Sequence, residues 1–376
     1  MIFCFILITL NACSRSNDST SNVFTAISAG ELHTVALENG GAVLAWGYNG
    51  YGELGDGISA SSNTPMPLGG VGSSVLTNII AISAGGYRTV ALRNDGTVWD
   101  WGYNLNGELG DGTGINTNRN TPVQVEGLTG ITAISAGELH TVALKNDGTF
   151  WAWGSNGYGQ LGDGTNTFRS IPVQINGLTG ITAISAGVFN TLALKNNGTV
   201  LAWGLNSSGQ LGDGTTTDSY TPVTVSVLTD VIAISAGELH AVALKNDGTV
   251  WAWGSNGYGQ LGDGTTAESH TPVNVEGLTG ITAISAGGAH TVALKNDGTV
   301  WAWGLNSSGQ LGDETDTNRN TPVMVSGLTG ITAISAGESH TVALKNDGTV
   351  WAWGLNSSGQ LGDGTTTGSF TPVEVK

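Results

Sequence analysis

Cysteine is almost absent from this 376-residue chain: Cys4 and Cys13 are the only two, and both precede residue 14. The remainder can therefore form no disulfide framework and no cysteine-based metal site. Positive charge is scarce as well. Twelve basic residues against 29 acidic ones give a net charge of −17, with no basic cluster or stripe. Affinity for nucleic acid depends on neutralising phosphates, so nucleic acid and bare anionic membrane are excluded as partners. The one long apolar run, IFCFILITL at residues 2–10, is too short to span a bilayer. No helical periodicity is visible either, so a helical solenoid is excluded.

What is present is repetition. The phrase AISAG begins at Ala26, Ala81, Ala133, Ala183, Ala233, Ala283 and Ala333. Each copy continues into a TVAL-like segment, an Asn-Asp-Gly-like turn, a VWAWG-like segment, an N-x-x-G-(Q/E)-L-G-D loop and a TPV segment. A step of about 50 residues without helices marks radial β-repeats. In the sixth copy, residues 281–286, 290–294, 299–303 and 321–325 read as four strands, and Asn296-Asp297-Gly298 is a strong hairpin signal. Trp301 and Trp303 alternate with Val300 and Ala302, so both faces are apolar, as in a sheet stacked between two neighbours. Trp46, Trp101, Trp153, Trp203, Trp253, Trp303 and Trp353 share one slot and read as packing residues.

The fold expected is all-β: a seven-bladed propeller of four-stranded antiparallel blades over residues 23–376. Because no TPV segment precedes the first copy, the last one (Thr371 onward) is expected to pair into the first blade and lock the ring. Ahead of it, residues 1–12 read as a lipoprotein-type signal peptide. Leu10-Asn11-Ala12-Cys13 resembles the bacterial lipobox, which implies lipidation of Cys13, and residues 13–22 form a polar tether. The location expected is a lipid-anchored one at the cell envelope (outer membrane or cell surface), and the lipid is the only membrane contact. An ordinary cleaved signal and secretion is the alternative.

The motifs AG-x-x-HT-x-AL, DG-x-V-x-x-WG and N-x-x-GQLG resemble those of the regulator of chromosome condensation repeat superfamily. The resemblance runs over the whole of residues 23–376 and implies the seven-bladed propeller. In texture and compartment it is nearest to the exported β-lactamase inhibitor protein II type. The nuclear exchange-factor type is less similar: no repeat carries a long wedge-like insertion. The ultraviolet-B photoreceptor type uses a GWRHT motif, and the corresponding segments here contain no tryptophan.

No catalytic constellation stands out, and no cofactor or metal is expected. His33, His140, His240, His290 and His340 recur in one slot, but Arg88 and Asn190 replace them in two copies, which favours an inter-blade hydrogen bond over a metal site. The GDGT aspartates read as turn caps, because a calcium loop needs more oxygen ligands. The GxGxxG-like fragments precede no helix and carry no dinucleotide reading. Where the copies differ is more informative. The two residues after AG vary: Glu31-Leu32, Gly86-Tyr87, Glu138-Leu139, Val188-Phe189, Glu238-Leu239, Gly288-Ala289 and Glu338-Ser339. Of these, Leu32, Tyr87, Leu139, Phe189 and Leu239, rimmed by Glu31, Glu138, Glu238 and Glu338, form the candidate protein-binding rim. A second variable set holds Tyr48, Tyr51, Tyr103, Leu105, Tyr158 and Tyr258. The reading is a monomeric, exported, non-catalytic interaction module with a protein partner; regulation of a small GTPase by nucleotide exchange is the alternative.

Overall fold

A computed structural model describes residues 23–69, 76–114 and 116–376. The segments expected to be a signal peptide (1–12) and a tether (13–22), with Cys13, lie outside these residues. Among those described there is no helix, and 28 strands, β1 to β28 in chain order, form seven four-stranded antiparallel sheets.

The first blade comprises β1 (Phe24–Ala29), β2 (His33–Glu38), β3 (Val43–Gly47) and β4 (Ser62–Pro67), paired in that order. The AISA strands are innermost and line a central channel; the proline-bearing strands are outermost. Proline lacks the N–H that an inner strand must donate, so an outer edge is where it fits.

Sheets alone do not hold a ring; backbone bonds between blades, such as Gly164 N to the Tyr220 carbonyl at 2.9 Å, and side chains of the repeat do. The serine of AISA accepts from an alanine N–H of the following blade at all seven junctions, as in Ser28 Oγ with Ala84 N at 2.9 Å. Each tryptophan of the invariant slot is buried, and in six of seven its indole N–H donates to a carbonyl of the preceding blade, Trp303 to Gln260 at 2.9 Å. The apolar clusters are likewise shared between blades. One joins Val242, Leu244, Val250 and Ala252 of the fifth blade to Ala293 and Trp303 of the sixth.

Ring closure differs from the sequence expectation. The last strand, β28 (Ser369–Glu374), does not enter the first blade. It pairs with β27 (Val350–Gly354) of its own blade, in the register Ala352↔Val373 and Gly354↔Ser369. The connecting loop accounts for this: Asn356 Nδ2 donates to Asp363, Thr365 and the Thr367 carbonyl, folding the chain back beside β27. Local return costs little loop-closure entropy. The seam between blades 7 and 1 is instead built like the other junctions, with backbone bonds such as Gly364 N to the Asn63 carbonyl at 2.9 Å and with side-chain contacts. Ala29, Ala36 and Trp46 pack on Val342, Leu344 and Leu361, and Thr34 Oγ1 meets His340 Nε2 at 3.0 Å.

Candidate functional site

The turns joining the first and second strands of every blade meet at one end of the channel. There they enclose a cavity of about 360 Å³ lined by glycine and alanine backbone together with Glu31, Glu138, Glu238, Glu338 and Val188. The first member of each variable pair thus faces the channel mouth. Along the ring these positions read Glu, Gly, Glu, Val, Glu, Gly, Glu, so nearly every glutamate has a small neighbour. Gly86 shows why: a Cβ there would lie 2.4 Å from Glu138 Cγ, so glycine lets the Glu138 side chain lie over blade 2.

The second members are knitted to the other variable set. Leu32, Tyr87, Leu139, Phe189 and Leu239 accept, through their carbonyls, the N–H of the residue following WG; Tyr48 N donates to Leu32 at 2.8 Å and Tyr103 N to Tyr87 at 2.9 Å. Read along the chain, the two sets look like separate surfaces. In the fold they are one. Tyr48, Tyr51, Tyr87 and Tyr103 form a cluster across blades 1 and 2, with ring centroids 5.0–6.4 Å apart and mostly edge-to-face. Tyr158 meets Phe189 at 5.0 Å, while Leu105, Tyr158 and Tyr258 are exposed. Leu32, Leu139, Leu239, Tyr87 and Phe189 are half-buried rather than protruding.

Burial sets the electrostatics. The Tyr87 hydroxyl donates to Glu31 Oε1. Desolvation raises the Glu31 carboxyl, and this hydrogen bond partly offsets the rise. Glu138 is pushed up to about 7 by burial and then by Glu31, Glu238 and Glu338. Glu338 rises for the same reasons, burial first. Tyr87 itself is raised, chiefly by desolvation.

Below the tyrosines lies a feature that the sequence reading missed. The position before L-G-D is Gln160, Gln210, Gln260, Gln310 and Gln360 in five blades, but Glu53 and Glu108 in the two where a tyrosine (Tyr48, Tyr103) follows WG. Glu53 is fully buried and pushed up to about 7 by desolvation; its Oε2 accepts the Tyr51 N–H at 3.0 Å, while Oε1 has no hydrogen-bond partner. Burial raises Glu108 too. In the same blade Arg88 occupies the histidine slot and forms a 3.0 Å ion pair with Asp100, which stands where most copies have alanine. Burial drives the Asp100 carboxyl upward against the pull of Arg88. Blade 2 is thus chemically distinct from the other six. The signal was there: DWG in place of AWG.

The histidines have the role anticipated for them. Each Nε2 lies within hydrogen-bond distance of a threonine hydroxyl on the next blade, at 2.8–3.1 Å. The GDGT aspartates cap turns; Asp163 Oδ1 accepts from the Thr165 N–H and hydroxyl. Among the described residues no three His, Cys, Asp or Glu side chains converge as a metal site would require.

The sequence family settles what the geometry suggests, since the RCC1-like domain matches residues 11–243 and 73–376. The chain belongs to the RCC1-like domain family. Among curated relatives it is similar to the mitochondrial RCC1 domain-containing protein RUG3 of Arabidopsis thaliana, 34% identical over 36% of this chain and 31% of that one. It is also similar to the X-linked retinitis pigmentosa GTPase regulator homolog of Caenorhabditis elegans, 32% identical over 33% of this chain and 9% of that one. The chain thus matches less than a third of each relative's length. A crystal structure of Kap60 bound to yeast RCC1 (Prp20) contains a similar fold, with TM-score 0.78 at 23% identity over 97% of this chain and 90% of that one. At that identity the likeness concerns the RCC1-like fold alone.

Proposed function

We propose that this RCC1-like propeller is a non-catalytic interaction module that engages a protein partner through the face built from the two variable sets, centred on blades 1 to 4. One observation carries the reading. The repeated side chains are consumed in joining blades, whereas the variable ones gather into a single patch of tyrosines, Phe189, leucines and glutamates. Half-exposed aromatics of this kind are the anchors that dominate protein interfaces. A relative named as a GTPase regulator homolog supports the coarser statement that such propellers work by binding proteins, and it keeps nucleotide exchange on a small GTPase as the alternative.

Affinity capture with the full chain and with a Tyr87→Ala/Phe189→Ala variant tests the reading. A protein retained by the wild type and lost from the folded variant is expected; equal capture would overturn it. Accelerated release of a fluorescent nucleotide from a small GTPase would favour the alternative. Export and lipidation belong to the same proposal. Cys13→Ala should shift the protein out of the membrane fraction, and a wild type already soluble in the cytosol would refute the anchor.

A further inference from the structure

We propose that the channel mouth at blades 1 to 3 receives a cationic side chain, arginine or lysine, projecting from the surface of the partner; this rests on the protein-binding reading above. Three linked arrangements meet there: Glu31 and Glu138 line the cavity, and the tyrosines and Glu53 stand behind them. The first is aromatic: each of Tyr48, Tyr51, Tyr87 and Tyr103 has its ring centroid within 6.4 Å of at least two of the others, and phenol rings attract cations over their faces. The second is the carboxylate pair flanking Tyr87. Glu31 accepts the Tyr87 hydroxyl through Oε1 only, and Glu138 lies across Gly86, in the gap that the missing side chain leaves.

The third is Glu53. Its Oε1 is fully buried without a hydrogen-bond partner, and four of the five glutamines at this slot leave Nε2 unpartnered in the same way, so what sets Glu53 apart is its charge, which is costly to bury unpaired. Glu53 sits beneath Tyr51, holding that residue's N–H, and it is close enough to Tyr48 and Glu31 to perturb both electrostatically. Acids replace glutamine at this slot only in the two blades where a tyrosine follows WG, at Glu53 and Glu108; Tyr158 and Tyr258 share the Tyr51 position but stand beside glutamine. The nearby cation, Arg88, is already paired with Asp100 and fully buried, so it cannot neutralise the mouth. A positive group supplied from outside completes the site.

The surroundings favour a side chain attached to a protein. The cavity of about 360 Å³ has room for an extended side chain, not for a folded element. Its rim carries half-buried Leu32, Leu139 and Phe189, which a partner surface would cover as the cation enters. A small free cation would leave them wet.

The test uses the full chain and a fluorescein-labelled peptide of alternating glycine and arginine, with citrulline replacing arginine in a neutral, near-isosteric control. Anisotropy titration should show the arginine peptide binding about tenfold or more tighter than the control. Glu53→Gln, which installs the residue that five other blades already fold with, should weaken it severalfold, as should Glu138→Gln and Tyr51→Ala. Glu276→Gln, an exposed acid outside this site, should not. Equal binding of the two peptides overturns the proposal. So does a loss from Glu276→Gln as large as that from Glu53→Gln, because it would mark mere attraction to a chain of net charge −17. If protein capture still depends on Tyr87 and Phe189 while the peptides are not distinguished, the interaction face stands and the cation site falls.

Discussion

Arg88 Nη1 lies 3.0 Å from Asp100 Oδ2 inside blade 2, and neither side chain has any exposure to solvent. The guanidinium also reaches across the junction to the Thr141 hydroxyl and the His140 carbonyl, replacing the single contact a histidine makes elsewhere. Two charges have been exchanged for a His and an Ala without altering the sheet.

That exchange predicts a non-additive response. Asp100→Ala alone leaves Arg88 buried and unpaired, and should cost about 3–5 kcal/mol. The double variant Arg88→His/Asp100→Ala restores the common pattern and should lose far less, or gain about 1–4 kcal/mol. Denaturant midpoints of the three proteins measure the coupling; additive losses would refute it.

Asn190 supplies a second test. It replaces histidine in blade 4, both its side-chain polar atoms lack partners, and the facing residue of blade 5 is Ala241 where threonine is usual. The amide is too short for the junction, and the hydroxyl that would meet it is gone. Asn190→His/Ala241→Thr should restore one buried hydrogen bond and raise stability by about 1 kcal/mol. Asn190→His alone should give less than the pair.

The architecture was legible because its signals repeat. Seven AISAG copies, the Asn-Asp-Gly turns and the alternating tryptophans gave the strand number, and the five histidines announced an inter-blade bond. Ring closure was misjudged for a physical reason: TPV carries no mark of which blade it joins, and the Asn356 loop that decides this looks like any polar loop. The site was half legible. Glu31, Tyr87, Glu138 and Phe189 were visible as departures from the repeat. Glu53, Glu108 and Asp100 were equally visible departures but lay inside motifs read as scaffold.

The pH dependence should separate the buried acids from the buried histidines. Glu53, facing Tyr48, Tyr51 and Glu31, has a folded pKa of about 7, above its ordinary 4.5. Its protonated form favours folding, so its contribution is present below about 4.5 and is lost as pH rises through about 7. Burial holds His33 and His240 near 4 and His140, His290 and His340 near 3. Their contribution is present above 6.5 and is lost as pH falls through 4 to 3. Glu53→Gln should therefore be more stable than wild type at pH 8, by a few kcal/mol, and equal to it near pH 4. Melting midpoints at the two pH values check this; a constant difference would refute the assignment.

Trp303 and Tyr51 make a contrast in role. Trp303 is fully buried between blades 5 and 6 and donates to Gln260, so Trp303→Ala should cost about 3–5 kcal/mol through the cavity it opens. Tyr51→Ala should change the melting midpoint much less and reduce partner capture instead. Equal destabilisation by both would place the tyrosine cluster in the scaffold.

Among the described residues no strand crosses the seam between the last blade and the first, and the four strands of each blade come from one stretch of chain. A whole unit can then be inserted or excised at a blade boundary without unpicking any sheet, and each new junction meets the serine, threonine, histidine and tryptophan contacts it needs. The near-identity of the SNGYGQ copies, and of the LNSSGQ copies, is what a gene lengthened by unequal crossing-over would leave behind. Blades 1 and 2, with Tyr48, Tyr103, Glu53 and Glu108, carry letters that none of those copies shares.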